Sequence, residues 1–246
     1  MSNHFKMKIG IIIGRIGGVD GVALETEKWI EVLQKMGHEV FLLSGQYEER
    51  EIDKEHEKLL PILSFFSLTC KWEQDHAFFN PTGDSSELLE HLKKTSDNIS
   101  GKICKWLDDK RIDVLISENA SALPSHLSMG IGIKKAIEKT GVNTITDDHD
   151  FAWERGDRYI SPHKRINQLI EKTFPLQISK PNVHHAVINL NAQKNLKNRF
   201  GIKATVVPNV MDFDTPFGKI TNHNKYLLKE LGLNNKDIPL FQMTRI

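Results

Sequence analysis

The sequence predicts a doubly wound α/β fold around a parallel sheet, and three observations carry that prediction. Short aliphatic runs alternate with longer stretches of helical periodicity along the chain. The runs are continuously apolar rather than alternating, as strands buried on both faces are. Their carboxyl ends open into glycine-rich or charged loops, which is where open α/β sheets bind ligands.

Lys8–Ile13 is the first such strand, ended by Gly14. Val22–Met36 follows as a helix whose apolar stripe is Val22, Leu24, Trp29, Val32, Leu33 and Met36, with Gly37 as its stop. Glu39–Leu43 is the second strand, so residues 8–43 form a βαβ unit with a right-handed crossover. The pattern then weakens. The charged run Glu48–Lys58 reads as a helix or a solvated insertion, and Pro61–Thr69 as holding a strand. Leu88–Leu107 is a long amphipathic helix, Asp113–Ser117 a strand, Glu118–Pro124 a turn-rich stretch and Ser125–Lys139 a helix closed by Gly141. Strand Val142–Thr146, a charged loop, helix Lys164–Thr173, strand Ala186–Asn189, a short helix to Phe200 and strand Thr205–Val207 complete the alternation. Asp212–Lys219 is turn-rich, Asn222–Leu231 resembles a connecting helix, and Pro239–Met243 begins a fresh apolar strand with little beside it to pair with. The expected division is one domain over 1–212, then a linker and the start of a second domain over 213–246.

At 246 residues the chain can bury a substantial core. Its 33 basic and 32 acidic side chains give no general attraction for nucleic acid or a membrane surface. Cys70 and Cys104 lack ligand-like spacing, which favours two reduced thiols, and no apolar run reaches the ~18 residues of a membrane span. A cytoplasmic protein is the expectation.

The segment Asp147–Tyr159 (DDHDFAWERGDRY) is the richest in chemistry. Its acids, histidine, arginines and large aromatics are poor core material, because charged groups are rarely buried without partners. It reads as the wall of a site. His149, between Asp148 and Asp150, is placed to bond a sugar hydroxyl or meet a developing charge, and Glu154, Arg155 and Arg158 to grip a polar or anionic acceptor. A salt-bridge network closing the sheet's end is the competing reading. Asp148 and Asp150 match a paired-acid metal pattern that is too short to count without further ligands, and no metal is expected. His184 and His185 face opposite ways in a strand and cannot chelate together. The loop Gly14–Gly21 lies between strand and helix, where backbone N–H groups can cradle an anion. It fits neither the dinucleotide fingerprint nor a P-loop, and its glycines also suit mere tight turning.

Taken together, the Gly17-Gly18-Val19 turn, the His149-Asp150 loop and Val207–Asp212 (VPNVMD) resemble the retaining GT-B glycosyltransferases of family 4. In that family the last segment reads Pro-Asn-Gly-Val-Asp; here Val210 follows Asn209 directly and Met211 precedes Asp212, so the turn differs. Glu118-Asn119-Ala120 and Trp153-Glu154-Arg155 are similar to a subgroup that pairs ENA with HDFxWER.

The resemblance implies the Rossmann-like N-terminal half of a two-domain enzyme, with the active site between the halves. By similarity His149 would be the catalytic contact to the sugar. Gly17, Gly18 and Val19 would approach the donor, and Glu118, Asn119, Asp150, Trp153, Glu154 and Arg155 would shape the acceptor pocket. It further implies a nucleotide-diphosphate sugar as co-substrate, a sugar or sugar-acid acceptor, no cofactor or metal, and near inactivity of the chain alone. A nucleotide-sugar epimerase of the same architecture, or a non-catalytic sugar- or nucleotide-binding module, would show many of the same features.

Overall fold

The computed structural model describes residues 6–178, 182–211, 225–234, 236–238 and 240. They fall into two compact units, 1–209 and 210–246. In the first, the opening aliphatic run is β1 (Lys8–Ile13), the inner strand on which the fold is built. It pairs in parallel with β3 (Glu39–Ser44) on one side and β6 (Val114–Glu118) on the other. β5 (Glu57–Leu59) lies beyond β3, while β7 (Asn143–Asp148), β8 (Val183–Val187) and β9 (Ala204–Val206) follow β6. The order β5-β3-β1-β6-β7-β8-β9 is a doubly wound, wholly parallel seven-stranded sheet. A second, two-stranded sheet pairs β2 (Ile16–Gly17) with β4 (Tyr47–Glu48) just past the ends of β1 and β3.

Both faces are covered, which is why the strands read as unbroken apolar runs. α1 (Gly21–Lys35) sets Val22, Ala23, Trp29, Ile30 and Leu33 against one face, over Ile9, Ile11 and Ile13. The buried stripe is narrower than the sequence suggested: Leu24, Val32 and Met36 face outward. On the other face α3 (Ser86–Lys110) and α4 (Leu127–Thr140) bring Ile99, Ile103 and Trp106 together with Met129 and Ile133 over Ile12, Leu43 and Leu115. α5 (Lys164–Thr173) and α6 (Leu190–Phe200) complete the crossovers.

The stretch between β3 and α3 departs from expectation. Pro61–Leu63 is a single 3-10 turn, and α2 (Leu68–Gln74) follows where a strand was expected, because the Ser67 hydroxyl caps it by accepting from the Cys70 amide at 3.1 Å. The charged run before it supplies β4 and the edge strand β5 rather than a helix; three residues paired to Leu42–Ser44 and tied by Glu57 to Arg50 leave no periodicity to read. β8 begins three residues earlier than expected, at Val183, and Asn189 leaves the strand to cap α6, accepting from the Ala192 amide at 2.8 Å.

α2 is locked to α4 by a buried polar cluster. The Glu73 carboxylate accepts from the Ser128 amide at 3.1 Å and from the Ser128 hydroxyl, and lies 3.1 Å from His126 Nδ1 and 3.4 Å from His91 Nε2. Burial opposes its charge, but the bonds from His126, His91 and Ser128 prevail and hold its pKa at about 2. Cys70 and Cys104 are free thiols.

In the second unit α7 (Leu227–Glu230) is a single turn within the helix expected over 222–231. The expected turn-rich stretch Asp212–Lys219 and, apart from Leu240, the expected strand Pro239–Met243 lie outside the described residues. Among the described residues no helix is long and apolar enough to cross a membrane.

Candidate active site

Parallel pairing of β6 with β7 sets Glu118 beside Asp147 at the carboxyl ends of adjacent strands. Both carboxylates are about 1% exposed, and the imidazole of His149, just past the end of β7, sits against them. His149 Nε2 is 3.0 Å from Glu118 Oε1 and 3.6 Å from Asp147 Oδ2. Asn119 fixes this arrangement from below. Its φ of 45° turns the chain sharply after β6, its amide donates to the Asp147 carbonyl at 2.9 Å, and its side-chain oxygen accepts from the His149 amide at 3.2 Å. On the other edge of the ring, Asn209 Nδ2 lies 3.4 Å from Nδ1.

The charges are strongly coupled. Burial raises the Glu118 carboxyl to about 8, and the neighbouring Asp147 and Asp148 add to this while His149 opposes it. For His149, burial pulls the pKa down, but hydrogen bonds and charge from Asp147 and Glu118 outweigh it and lift it to about 10. Glu118 Oε2 and Asp147 Oδ1 remain buried with no hydrogen-bond partner among the described residues. Two enclosed carboxyl oxygens, one of them on a group that keeps its proton near neutral pH, beside a protonated imidazole suit a hydroxyl-bearing ligand, which both donates and accepts. Among the described residues, Glu118, Asp147 and His149 are also the one group of ligand type close enough to hold a metal, their ligand atoms lying within 4.8 Å of one another. The pair Asp148 and Asp150 does not converge. Asp148 turns to the opposite face, accepting from Thr146 Oγ1 at 2.7 Å and meeting His185 Nδ1 at 3.2 Å, whereas Asp150 pairs with Arg155 at 2.7 Å.

The segment read as a single charged wall has three parts. Asp147 and Asp148 belong to β7 and are buried, so the open loop starts at His149. Trp153 lies in the packing layer, stacked on Phe151 at 4.5 Å and tilted against Phe200 at 5.7 Å, with the Arg199 guanidinium 4.9 Å from its ring centre. Glu154 folds back to accept from the Phe151 amide at 2.9 Å. Arg155 is exposed, and Arg158 lies 5.7 Å from both the Phe79 and the Tyr159 ring centres.

The glycine loop is built around Glu48. Gly17 has φ +86°, and a Cβ there would lie 2.0 Å from the Glu48 carbonyl oxygen; one on Gly18 would lie 2.8 Å from the Glu48 carboxylate. Close approach of β2 to β4 therefore demands glycine. Val19 is 93% exposed at the tip. The α1 N-terminus, expected to be free for an anion, already holds one: Asp20 Oδ1 accepts from the Val22 and Ala23 amides at 3.1 and 3.3 Å, and Arg15 pairs with Asp20 and, at 3.5 Å, with Glu48. Sequence reasoning placed Asp147 in the wall without a role of its own; its partnership with Glu118 is visible only through strand register, and the contact of Asn209 with His149 was not foreseen.

A doubly wound sheet of this order has the fold of half a GT-B glycosyltransferase. No protein-family model matches it. It is 34% identical over 251 residues to the mannosylglucosylglycerate synthase of Thermotoga maritima and 29% identical over 242 residues to that of Petrotoga mobilis. Each alignment takes in 98% of this chain and 53% of the relative, so the chain spans about half the length of the curated relatives it matches. Among solved structures, WaaG, a glycosyltransferase involved in lipopolysaccharide biosynthesis, superposes with a TM-score of 0.54 at 9% identity, over 92% of this chain and 52% of that one. Sucrose-phosphate synthase from Thermosynechococcus elongatus gives 0.50 at 10%, over 93% and 53%. At such identities the likeness to these two structures is one of fold.

Proposed function

We propose that this chain is the acceptor-side half of a retaining glycosyltransferase that moves a sugar from a nucleotide-diphosphate sugar to a hydroxyl of a sugar acid. The observation that carries the reading is the Glu118–Asp147–His149 cluster, with two unpartnered carboxylate oxygens, at the carboxyl edge of the sheet. The likeness to the two mannosylglucosylglycerate synthases, named for a glycosylated glycerate, supports the acid acceptor. In the reaction the acceptor oxygen bonds to the anomeric carbon on the face the diphosphate leaves. The C–O bond to the diphosphate breaks, its electron pair departs with the nucleoside diphosphate, and the hydroxyl proton passes to that leaving group. His149 would lie against the transferred sugar and present a positive charge, oriented by Glu118 and Asp147. Gly17, Gly18 and Val19 would face the donor, and Asp150, Glu154 and Arg155 the acceptor, with Asn119 and Trp153 holding the loop from behind. In this reading residues 1–212 form the acceptor domain and 213–246 lead into a nucleotide-sugar domain.

The test is a donor screen on the gene product at its full natural length, following nucleoside diphosphate release from UDP-, GDP- and ADP-sugars with and without glycerate-type sugar acids. Acceptor-dependent release with a retained anomeric configuration is expected. Conversion of the nucleotide sugar without acceptor would identify an epimerase instead, and saturable binding without any turnover a binding module.

A further inference from the structure

The spacing within the Glu118–Asp147–His149 cluster is that of a coordination shell. Bonds of about 2.0–2.1 Å at tetrahedral angles set ligand atoms about 3.3–3.4 Å apart. His149 Nε2 stands 3.0 Å from Glu118 Oε1 and 3.6 Å from Asp147 Oδ2, and one ligand atom from each residue falls within 4.8 Å of the others. The frame is fixed: β6 and β7 are in register at Glu118 and Asp147, and the Asn119 side chain holds the His149 amide. Two observations beyond the spacing point to a cation. Glu118 Oε2 and Asp147 Oδ1, on residues about 1% exposed, have no hydrogen-bond partner among the described residues. The outer edge of the imidazole faces Asn209, whose amide lies 3.4 Å from Nδ1. Presenting its oxygen there, Asn209 accepts from Nδ1–H and leaves Nε2 as the lone-pair nitrogen, as the outer partners of metal-bound histidines do.

Protons compete for the same atoms. Burial keeps one on Glu118 near neutral pH, and bonding to Asp147 and Glu118 keeps one on His149 against the effect of burial. A dication that displaces both leaves the net charge of the enclosure unchanged. One imidazole with two carboxylates is a set for a borderline transition metal rather than for magnesium or calcium, which take oxygen alone. We propose that Glu118, Asp147 and His149 bind a divalent ion of the zinc type through His149 Nε2 and one oxygen of each carboxylate, with Asn209 positioning the imidazole. The ion would supply at this edge the positive charge that the imidazolium supplies without it. Its binding is measured with neither donor nor acceptor, so this inference and the transferase reading can fail separately.

The test is uptake of Zn²⁺, Co²⁺ and Mg²⁺ by the metal-free 246-residue chain, followed by calorimetry and by the visible spectrum of bound Co²⁺. Saturable uptake of a single Zn²⁺ is expected, with Mg²⁺ held far more weakly. The Co²⁺ spectrum should be that of a nitrogen–oxygen site, without the thiolate charge-transfer band that Cys70 or Cys104 would give. Glu118→Gln, close to the original in shape, and Asn209→Ala, at an exposed residue, should each weaken Zn²⁺ by on the order of tenfold or more with the circular dichroism spectrum unchanged. Asp53→Asn, in the surface pair with His56, should leave the affinity as it is. The proposal is overturned by non-saturating Zn²⁺ uptake, by equal affinity for Mg²⁺, by a thiolate band, or by an equal loss in Asp53→Asn. Wild-type affinity in a folded Glu118→Gln or Asn209→Ala chain also overturns it, as the mark of an adventitious ion only.

Discussion

Glu118 and His149 stand 31 positions apart in the chain and 3.0 Å apart in space, Oε1 to Nε2. The contact exists because β6 and β7 pair with Glu118 opposite Asp147, and because Asn119, in a left-handed turn, catches the His149 amide. A histidine at the end of a strand is thereby enclosed by two carboxylates that water barely reaches.

This enclosure makes stability depend on alkaline pH. Although burial opposes it, bonding to Asp147 and Glu118 lifts the His149 pKa from 6.5 to about 10, so the folded chain keeps a proton the unfolded chain gives up. The resulting stabilisation is complete below about pH 6.5 and is lost as pH rises through about 10. Glu118, raised from 4.5 to about 8 by burial, acts in the same direction over its own range. The thermal midpoint of the chain should therefore fall as pH rises from about 7 to about 10, and His149→Gln should flatten that slope. Glu118→Gln should lower the His149 pKa in an NMR titration. Parallel midpoint curves for wild type and His149→Gln would remove the charge coupling.

Glu73 predicts the opposite sign at the acid end. Its pKa is lowered from 4.5 to about 2 by His126, His91 and Ser128 against the pull of burial, so its contribution is present above about pH 4.5 and lost as pH falls through about 2. Glu73→Gln leaves the Ser128 amide and hydroxyl and two histidines around an uncharged amide, and should cost about 3–5 kcal/mol near neutral pH, as breaking a buried charged pair does. Chemical denaturation at neutral pH and at about pH 3 measures this: the gap between variant and wild type should shrink in acid. A constant gap would mean that packing, not charge, holds α2 to α4.

The alternating order of the sheet was legible because strands buried on both faces and helices with one apolar stripe differ in period, and His149 and Glu118 were legible as charged residues just where strands end. What escaped was whatever depends on register or on a few main-chain bonds. β5 is three residues long and two of them are charged, α2 is set by one serine cap, and the partnership of Asp147 with Glu118 appears only once β6 and β7 are aligned. The packing of Trp153 was equally hidden: its ring lies parallel to Phe151 within 3°, a contact inside a loop with no periodicity to show it.

Packing and acceptor contact make different predictions for that loop. Trp153→Ala removes an aromatic wedged between Phe151 and Phe200 and should cost about 2–4 kcal/mol in denaturant unfolding. Arg155→Ala breaks only its largely exposed pair with Asp150 and should change stability by about 0–1 kcal/mol. In the acceptor assay on the full-length gene product, Arg155→Ala should then raise KM for an acid acceptor with little change in fold. An unchanged KM would take Arg155 out of the acceptor site.

Gly17 offers the sharpest local test, because its backbone and its surroundings both reject a side chain. At φ +86° an alanine carries the left-handed penalty of about 1–2 kcal/mol. Its Cβ would also meet the Glu48 carbonyl oxygen at 2.0 Å, and main chain cannot rotate aside as a side chain can. Relief requires β2 to part from β4, releasing the Arg15 link to Glu48 and the tip at Val19. Gly17→Ala should therefore cost about 2–4 kcal/mol in total. Gly21→Ala, where a Cβ would touch nothing within 4 Å, should cost far less. Amide hydrogen exchange on the two variants decides the matter. Loss of protection confined to residues 15–20 and 46–50 in Gly17→Ala is expected, and equal protection in both would show that the two short strands do not depend on glycine for their approach.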